Sequence, residues 1–593
     1  MFTVKQSTTN GVNTVSAASA HLTMTVEATK TLCTGLLKKL AATLESPKSA
    51  DATECTPLHL QKQAARTPHD PVLGTAEHET TLTPCEQHPE MPLRNQSSEC
   101  HAVLHLSLQI LLFAIVDFAP DFFGGVLTGH LSAVDSSAFI AARSLAVTFT
   151  MLTSASLIAA MSAAMDTLCA QAYGAGQLQD LGLLFQTGML VFCLGFPPIV
   201  LASVYCVELL EFAGQQRELA ELAYKLVLLT LPGMPFAAAS TLMGKILQGQ
   251  SRMKPLVVIG IATGVVQAIL LYVLMFRTTL GLSGLALATS AAMLCNAVAL
   301  ATYLQCSDLY QREWPGWQFA EAVRRMPGFA RLGVSGMAMF VYEVWSFAAV
   351  GLSSGMLLHA RTTVSADSNY LNLRFLGALG YMAIALAASV RVGNALGAND
   401  PARARHAAKL ALGLGALCAL MASATMSLFH DVLPLAFTRD EEVVNVTSDL
   451  LLVMSPLQVF AAIAIVTQGI FRGCGLQALG ANVNFVCYIL LAVPLGLLLA
   501  FPLDMGLTGL WLGLHTGFGA SGLFSVYWLA YRADWAKLAC QALERATGTS
   551  NGRRTDANSQ SIAREKYSRM PVVKPEDYSS CTESSIGPCA PPA

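Results

Sequence analysis

From residue 104 onward the chain is a succession of apolar runs, each long enough to cross a bilayer at about 20 residues per span. They fall near 104–129, 138–164, 181–208, 219–244, 255–276, 281–304, 332–357, 369–392, 409–437, 450–471, 480–502 and 506–531. A segment in lipid must satisfy its own backbone hydrogen bonds, so twelve such runs predict twelve helices. The charge distribution agrees. Of 74 Asp, Glu, Lys and Arg residues, 18 lie in 1–100 and 15 in 533–593, which leaves 41 for the 432 residues between. A soluble surface carries about 25% charge, so so sparse a middle must face lipid.

The tails differ from the middle. Residues 1–100 are rich in Ser, Thr, Glu, His and Pro, without an apolar period, and are expected to be a disordered cytosolic tail. The first 44 residues hold one acid, Glu27, a composition shared by transit peptides and ordinary tails. No secretory signal is evident, so span 1 is expected to act as its own insertion signal. Residues 306–331 read as an inter-bundle linker and 533–593 as a C-terminal cytosolic tail.

Lys and Arg in short loops set the orientation. With both termini cytosolic, the inner loops carry Lys245, Arg252, Lys254, Arg312, Arg324, Arg325, Arg331, Arg391, Arg403, Arg405, Lys409, Arg472 and Arg532. The outer loops carry only Arg217, Arg277, Arg361 and Arg439, beside acids such as Asp440. An Asn445-Val446-Thr447 sequon falls on an expected outer loop.

The sequence repeats. QAYGAGQ at 171–177 echoes NALGAND at 394–400, LQGQ at 247–250 aligns with FRGC at 471–474, and GLSGLALA at 281–288 matches GLTGLWLG at 506–513. The offsets, 223, 224 and 225, equal six spans, so the two halves run parallel. The expected fold is an all-α polytopic membrane protein with pseudo-symmetric six-helix bundles at 101–305 and 332–532, enclosing a cleft.

Charges deep in spans are costly and mark function by default. Glu343 lies near the centre of span 7, with Met339, Phe340 and Phe347 at i−4, i−3 and i+4 on the same side. Desolvation there disfavours the charged carboxyl, so Glu343 would load a proton and release it when a cationic ligand arrives. The neighbouring rings would add cation–π attraction. The alternative is a structural Glu paired with Arg374 or a backbone donor. Asp117 and Asp121 flank Pro120 at i,i+4 in span 1, where two close carboxylates resist joint ionisation and make a second proton or cation site. Asp121 would instead be hydrated if it lies at the outer surface. Arg374 in span 8 is a counter-charge for either site or a snorkelling residue, and Arg143 is expected to snorkel.

Other chemistry is absent from the pattern. A net charge of −2 gives no basic field for nucleic acid. Fifteen scattered Cys show no metal-ligand spacing, and no nucleotide motif, nucleophile elbow or HExxH is present, so neither an enzyme nor a cofactor or metal is expected.

With those segments in view, the chain resembles the multidrug and toxic compound extrusion transporters in their eukaryotic branch. The matching stretches are MSAAMDTLCAQAYGAGQ (161–177), KILQGQSRMKPLV (245–257), SVRVGNALGANDPARARHAA (389–408), GIFRGCGLQALGANVN (469–484) and GLTGLWLG (506–513), in family order and over roughly 101–535. The resemblance implies two bundles in a V, alternating access, and export of organic, usually cationic, solutes in exchange for protons. It makes Glu343 the coupling acid of the second bundle. It makes Asp166, Gln171, Gly174, Arg391, Asn394, Gly397, Arg472 and Gly473 motif positions, with Asp166 bracing a loop. Trp345 follows the acid after Val344 where the family has two tryptophans, and Ala348 replaces a second acid. Asn372 fits the Asn of plant-like members, Ala461 stands at an animal-like acid position, and Tyr381 and Ser335 stand at family prolines.

The expected cleft is therefore Asp117, Asp121, Phe340, Trp345, Phe347, Asn372, Arg374 and Tyr381, serving a monomeric transporter in a plasma, vacuolar or other organelle membrane. Its partners are an organic solute, protons and lipid. Efflux of organic anions or phenolic metabolites, with Arg374 as contact, is the second reading. Lipid-headgroup translocation and a non-transporting receptor are readings from other classes.

Overall fold

The computed structural model describes residues 93–129 and 136–547, and among them every regular element is helical. The spans are α1 Leu93–Gly129, followed by α2 Ala138–Gly174, α3 Leu178–Val204, α4 Arg217–Gly249, α5 Lys254–Phe276 and α6 Leu282–Cys306 in the first half. The second half has α7 Phe319–Ser354, α8 Ala360–Gly397, α9 Pro401–Leu428, α10 Glu441–Cys474 and α11 Gln477–Ala500, then α12 Gly506–Tyr527.

Eleven of these helices are long and apolar enough to cross a membrane. The twelfth, α12, is a 22-residue helix whose Gly, Ser, Thr and His content takes it out of that class. Its glycines serve packing instead. A Cβ at Gly513 would strike the backbone of Gly496, and one at Gly517 would come within 2.7 Å of the Cys487 carbonyl oxygen. Small residues at i,i+4 let α12 lie backbone to backbone on α11.

The duplication is written into the backbone. Left-handed φ angles occur at Gly176 (72°) and Asn399 (56°), at Ser251 (60°) and Gly475 (73°), and at Gly281 (52°) and Gly506 (56°). Each pair is separated by the offset of its sequence motif. The glycine after each α6- or α12-opening turn also makes the same contact. A Cβ on Gly284 would lie 2.6 Å from Leu274 backbone, and one on Gly509 would lie 2.8 Å from Leu499.

Two apolar cores fill each half, and a further one joins them. There, Leu106 and Ile110 of α1, with Leu247 and Leu256, pack on Ala383, Ala387 and Val390 of α8. Two segments are more ordered than expected. Helix α7 starts at Phe319, inside the presumed linker. Beyond Arg532 a further helix, α13 Trp535–Thr547, buries Leu538, Ala539, Ala542 and Ala546 and packs on α2, α8 and α9. The Asn445 sequon lies in the helix Glu441–Met454 rather than in a loop, with Thr447 buried.

Candidate functional site

Helix α7 presents its inner stripe to the second half. Met339, Ser346 and Val350 are buried, and Glu343 lies on the same stripe, four residues from Met339 and three from Ser346. The register is fixed from α11, where Asn484 Nδ2 donates to the Met339 carbonyl at 3.0 Å. Glu343 therefore faces the interior of the second half, one helical turn from Phe347.

Arg374 does not snorkel. It is 4% exposed, and its guanidinium carbon sits 4.6 Å from the Phe347 ring centre and 5.1 Å from that of Phe518. Two rings stabilise the buried cation, while its Nε and Nη2 groups have no hydrogen-bond partner. Tyr381 is fully buried and donates to Gln458 Oε1 at 3.1 Å, as part of the packed core.

This interior also holds groups that sequence reading passed over. Asp367 is buried and accepts from Trp511 Nε1 at 2.8 Å, with Tyr370 packed edge-on against Trp511 at 4.5 Å. His515 is 2% exposed and bonds the Trp511 carbonyl through Nδ1 at 2.9 Å. Asp367 fell just outside the expected start of span 8. His515 was visible as an ionisable residue within span 12 and would have met the same criterion as Glu343.

The expected cleft set thus divides. Phe347, Arg374 and Tyr381 join Glu343 inside the second half. Phe340 and Trp345 are 54% and 56% exposed, because they lie on the other sides of α7. Asn372 is exposed on α8, and Asp117 is exposed on α1. The side chain of Asp121 lies outside the described residues. The first half has its own cavity of about 230 Å³, lined in part by Pro120, Arg143, Thr150, Gln267 and Thr289. Arg143 thus points into the first half beside Gly125, contrary to the snorkelling expected of it.

The motif residues gather at the end of the bundle rich in Lys and Arg, the basic end, and lock the halves together. Gln171 Nε2 donates to the Gly473 carbonyl at 2.9 Å. Its repeat partner Asn394, oriented so that both amide atoms are satisfied, donates to the Gly249 carbonyl at 3.1 Å and to that of Ala170 at 2.8 Å. A Cβ at Gly174 would strike the Asn394 carbonyl, and one at Gly397 would strike that of Gln171. The contacts are reciprocal, as a two-fold repeat requires.

Ion pairs reinforce them. Asp166 binds Lys245 at 2.6 Å and faces Arg472 of the other half at 3.8 Å. Arg391 grips Glu99 with two bonds, 2.8 and 2.7 Å, and Arg403 adds a third at 3.0 Å. Arg325 meets Asp180 at 3.0 Å. Glu99 falls within the expected tail, and its place at the foot of span 1 is the available signal.

Fold and site together define a duplicated, multi-pass helical membrane transporter whose halves interlock at one end and whose second half buries an acid and a cation. The MatE family model matches residues 121–273 and 336–498, and the chain belongs to the MatE family. Multidrug and toxin extrusion protein 1 of Danio rerio is 32% identical over 454 residues, covering 76% of this chain and 75% of that one. Protein DETOXIFICATION 16 of Arabidopsis thaliana is 30% identical over 450 residues, covering 76% and 91%. The crystal structure of the eukaryotic MATE transporter AtDTX14 superposes with a TM-score of 0.69 at 26% identity, covering 76% of this chain and 99% of that one.

Proposed function

We propose that the protein exports cationic, amphipathic organic solutes in exchange for protons by alternating access. The observation that carries this reading is Glu343, turned into the second half one helical turn from Phe347, whose ring lies against the Arg374 guanidinium. A carboxylate in an apolar interior attracts an organic cation, and a protonated carboxyl does not. Proton and solute therefore compete for one charge, which is the requirement for exchange. The nearby Arg374 lowers the affinity for a second cation and favours a single exchangeable one.

Alternating access requires the interlock at the basic end to open. In the proposed orientation that end and both termini are cytosolic, in a plasma or organelle membrane, and the transporter acts as a monomer. The two bundles proposed to rock against each other are built on α1 to α6 and on α7 to α12, joined by the segment between Cys306 and Phe319.

The test is efflux of a cationic dye driven by a pH gradient in reconstituted vesicles. Glu343→Gln is expected to reduce it at least about tenfold, the loss of roughly 1.4 kcal/mol of coupling. Undiminished gradient-driven efflux would overturn the assignment. Efflux of organic anions is the second reading, favoured by the unpartnered Nε and Nη2 of Arg374. Competition by anionic against cationic solutes separates the two.

A further inference from the structure

A cavity of about 280 Å³ opens at the basic end of the first half, and none of its walls is formed by residues around Glu343. Phe185 of α3 and Met243 of α4 line it from the bundle side. Tyr310, Trp314 and Trp317 line it from the segment joining the halves, and Glu313 supplies the carboxylate in its wall.

The aromatic wall is built and anchored. The Trp314 and Trp317 rings stand at 90° with centres 5.2 Å apart. Tyr310 stacks on Trp314 at 6.1 Å, and Phe185 meets Trp314 edge-on at 6.5 Å. Gln186 of α3 holds the segment with both amide atoms, donating to the Gly316 carbonyl and accepting from the Gln318 N–H, each at 2.8 Å. Gly182 admits the chain, since a Cβ there would lie 2.6 Å from the Glu313 carbonyl oxygen. Glu313 is held by Gln250 at 3.0 Å and Arg312 at 3.3 Å.

Interfacial Trp and Tyr residues commonly reach toward headgroups one by one. That role accounts for Trp317 being 67% exposed but not for two indoles set at right angles around a hollow. Aromatic side chains and a carboxylate lining one hollow are the chemistry that recognises alkylated ammonium groups. A volume just below the range of drug-sized pockets suits a small cation rather than a bulky one.

We propose that this cavity binds an alkylated ammonium ion, the chemistry shared by a quaternary-ammonium solute and a choline phospholipid headgroup. The inference rests on the joining segment and does not depend on Glu343 coupling transport.

The probe is tetraethylammonium, titrated into the delipidated full-length protein in maltoside and followed by calorimetry and tryptophan fluorescence. Saturable binding is expected. Trp317→Ala, at an exposed position, should weaken it about tenfold or more, the size of a lost cation–π face, and Trp314→Phe should retain most of it. In a Glu343→Gln background, which removes any cation bound at the transport acid, Trp317→Ala should cause the same loss of about tenfold, which separates this inference from the transport reading. Nanodiscs distinguish the sources. A tenfold weaker apparent affinity in phosphatidylcholine than in phosphatidylglycerol assigns the site to the lipid headgroup, and equal affinity assigns it to a soluble cation. Absence of saturable binding, or affinity unchanged in both Trp317→Ala and Tyr310→Leu, overturns the proposal.

Discussion

The left-handed joints Gly176, Ser251 and Gly281 of the first half recur as Asn399, Gly475 and Gly506 of the second, yet the interiors they frame are chemically unlike. The second half buries Arg374, Asp367 and His515 around the stripe that carries Glu343. The first half surrounds a 230 Å³ cavity with Arg143 and uncharged Thr and Gln side chains. Close helix approaches tolerate little change, because a Cβ at a backbone contact displaces a whole helix. Interior side chains away from those joints are free to diverge, and that is where the halves acquire separate tasks.

The comparison is broken most directly at the acids. Glu343→Gln should lower coupled efflux at least about tenfold, while Asp117→Asn on the first-half helix should leave at least about a third of it, measured in the same vesicles. Equal losses would show that both halves couple. Next in size are the joints themselves. Gly174→Leu and Gly397→Leu should destabilise the protein about equally, by roughly 1–3 kcal/mol each, read as a fall in the thermal midpoint in detergent. Gly413→Leu, with open space around it, should not. A large difference between the two joint variants would break the symmetry argument.

A smaller effect is expected from Glu99→Gln, which removes the negative charge that Arg391 and Arg403 share. The basic end should open more often, raising thiol labelling of a cysteine placed at Ala170 a few-fold. Unchanged labelling would remove Glu99 from the latch.

The smallest concerns Glu313, whose carboxyl burial pushes up despite the opposing bonds from Gln250 and Arg312. An acid raised in the folded state binds protons more readily there than in the unfolded chain. Its charge therefore costs stability as pH rises through the carboxylate range, and nothing below it. Glu313→Gln should flatten that part of the midpoint-against-pH curve, and an unaltered curve would contradict the assignment.

Much of the architecture was legible in the residues. Runs of about 20 apolar residues, a six-span offset and basic loops fixed the helices, their parallel duplication and the end where Gln171, Asn394, Gly174 and Gly397 would meet. The site was less legible. Span 7 placed Glu343, but helical spacing could not choose between Phe340 and Phe347, since both neighbour the acid and only one turns inward. Arg374 could equally have snorkelled until two rings from α7 and α12 were found against it. Asp367 was hidden because the expected span began at 369, two residues past it, whereas α8 begins at Ala360.

Hydropathy and repetition are local properties of a chain, so the sequence by itself determined that this protein spans a membrane with two like halves and a charge-poor interior. Which charges face one another is a matter of helix rotation and approach, set by contacts between residues hundreds of positions apart. Only the tertiary structure could decide that Glu343 shares its interior with Arg374, that Glu99 ties α1 to α8 and α9, and that the joining segment closes an aromatic wall over a cavity.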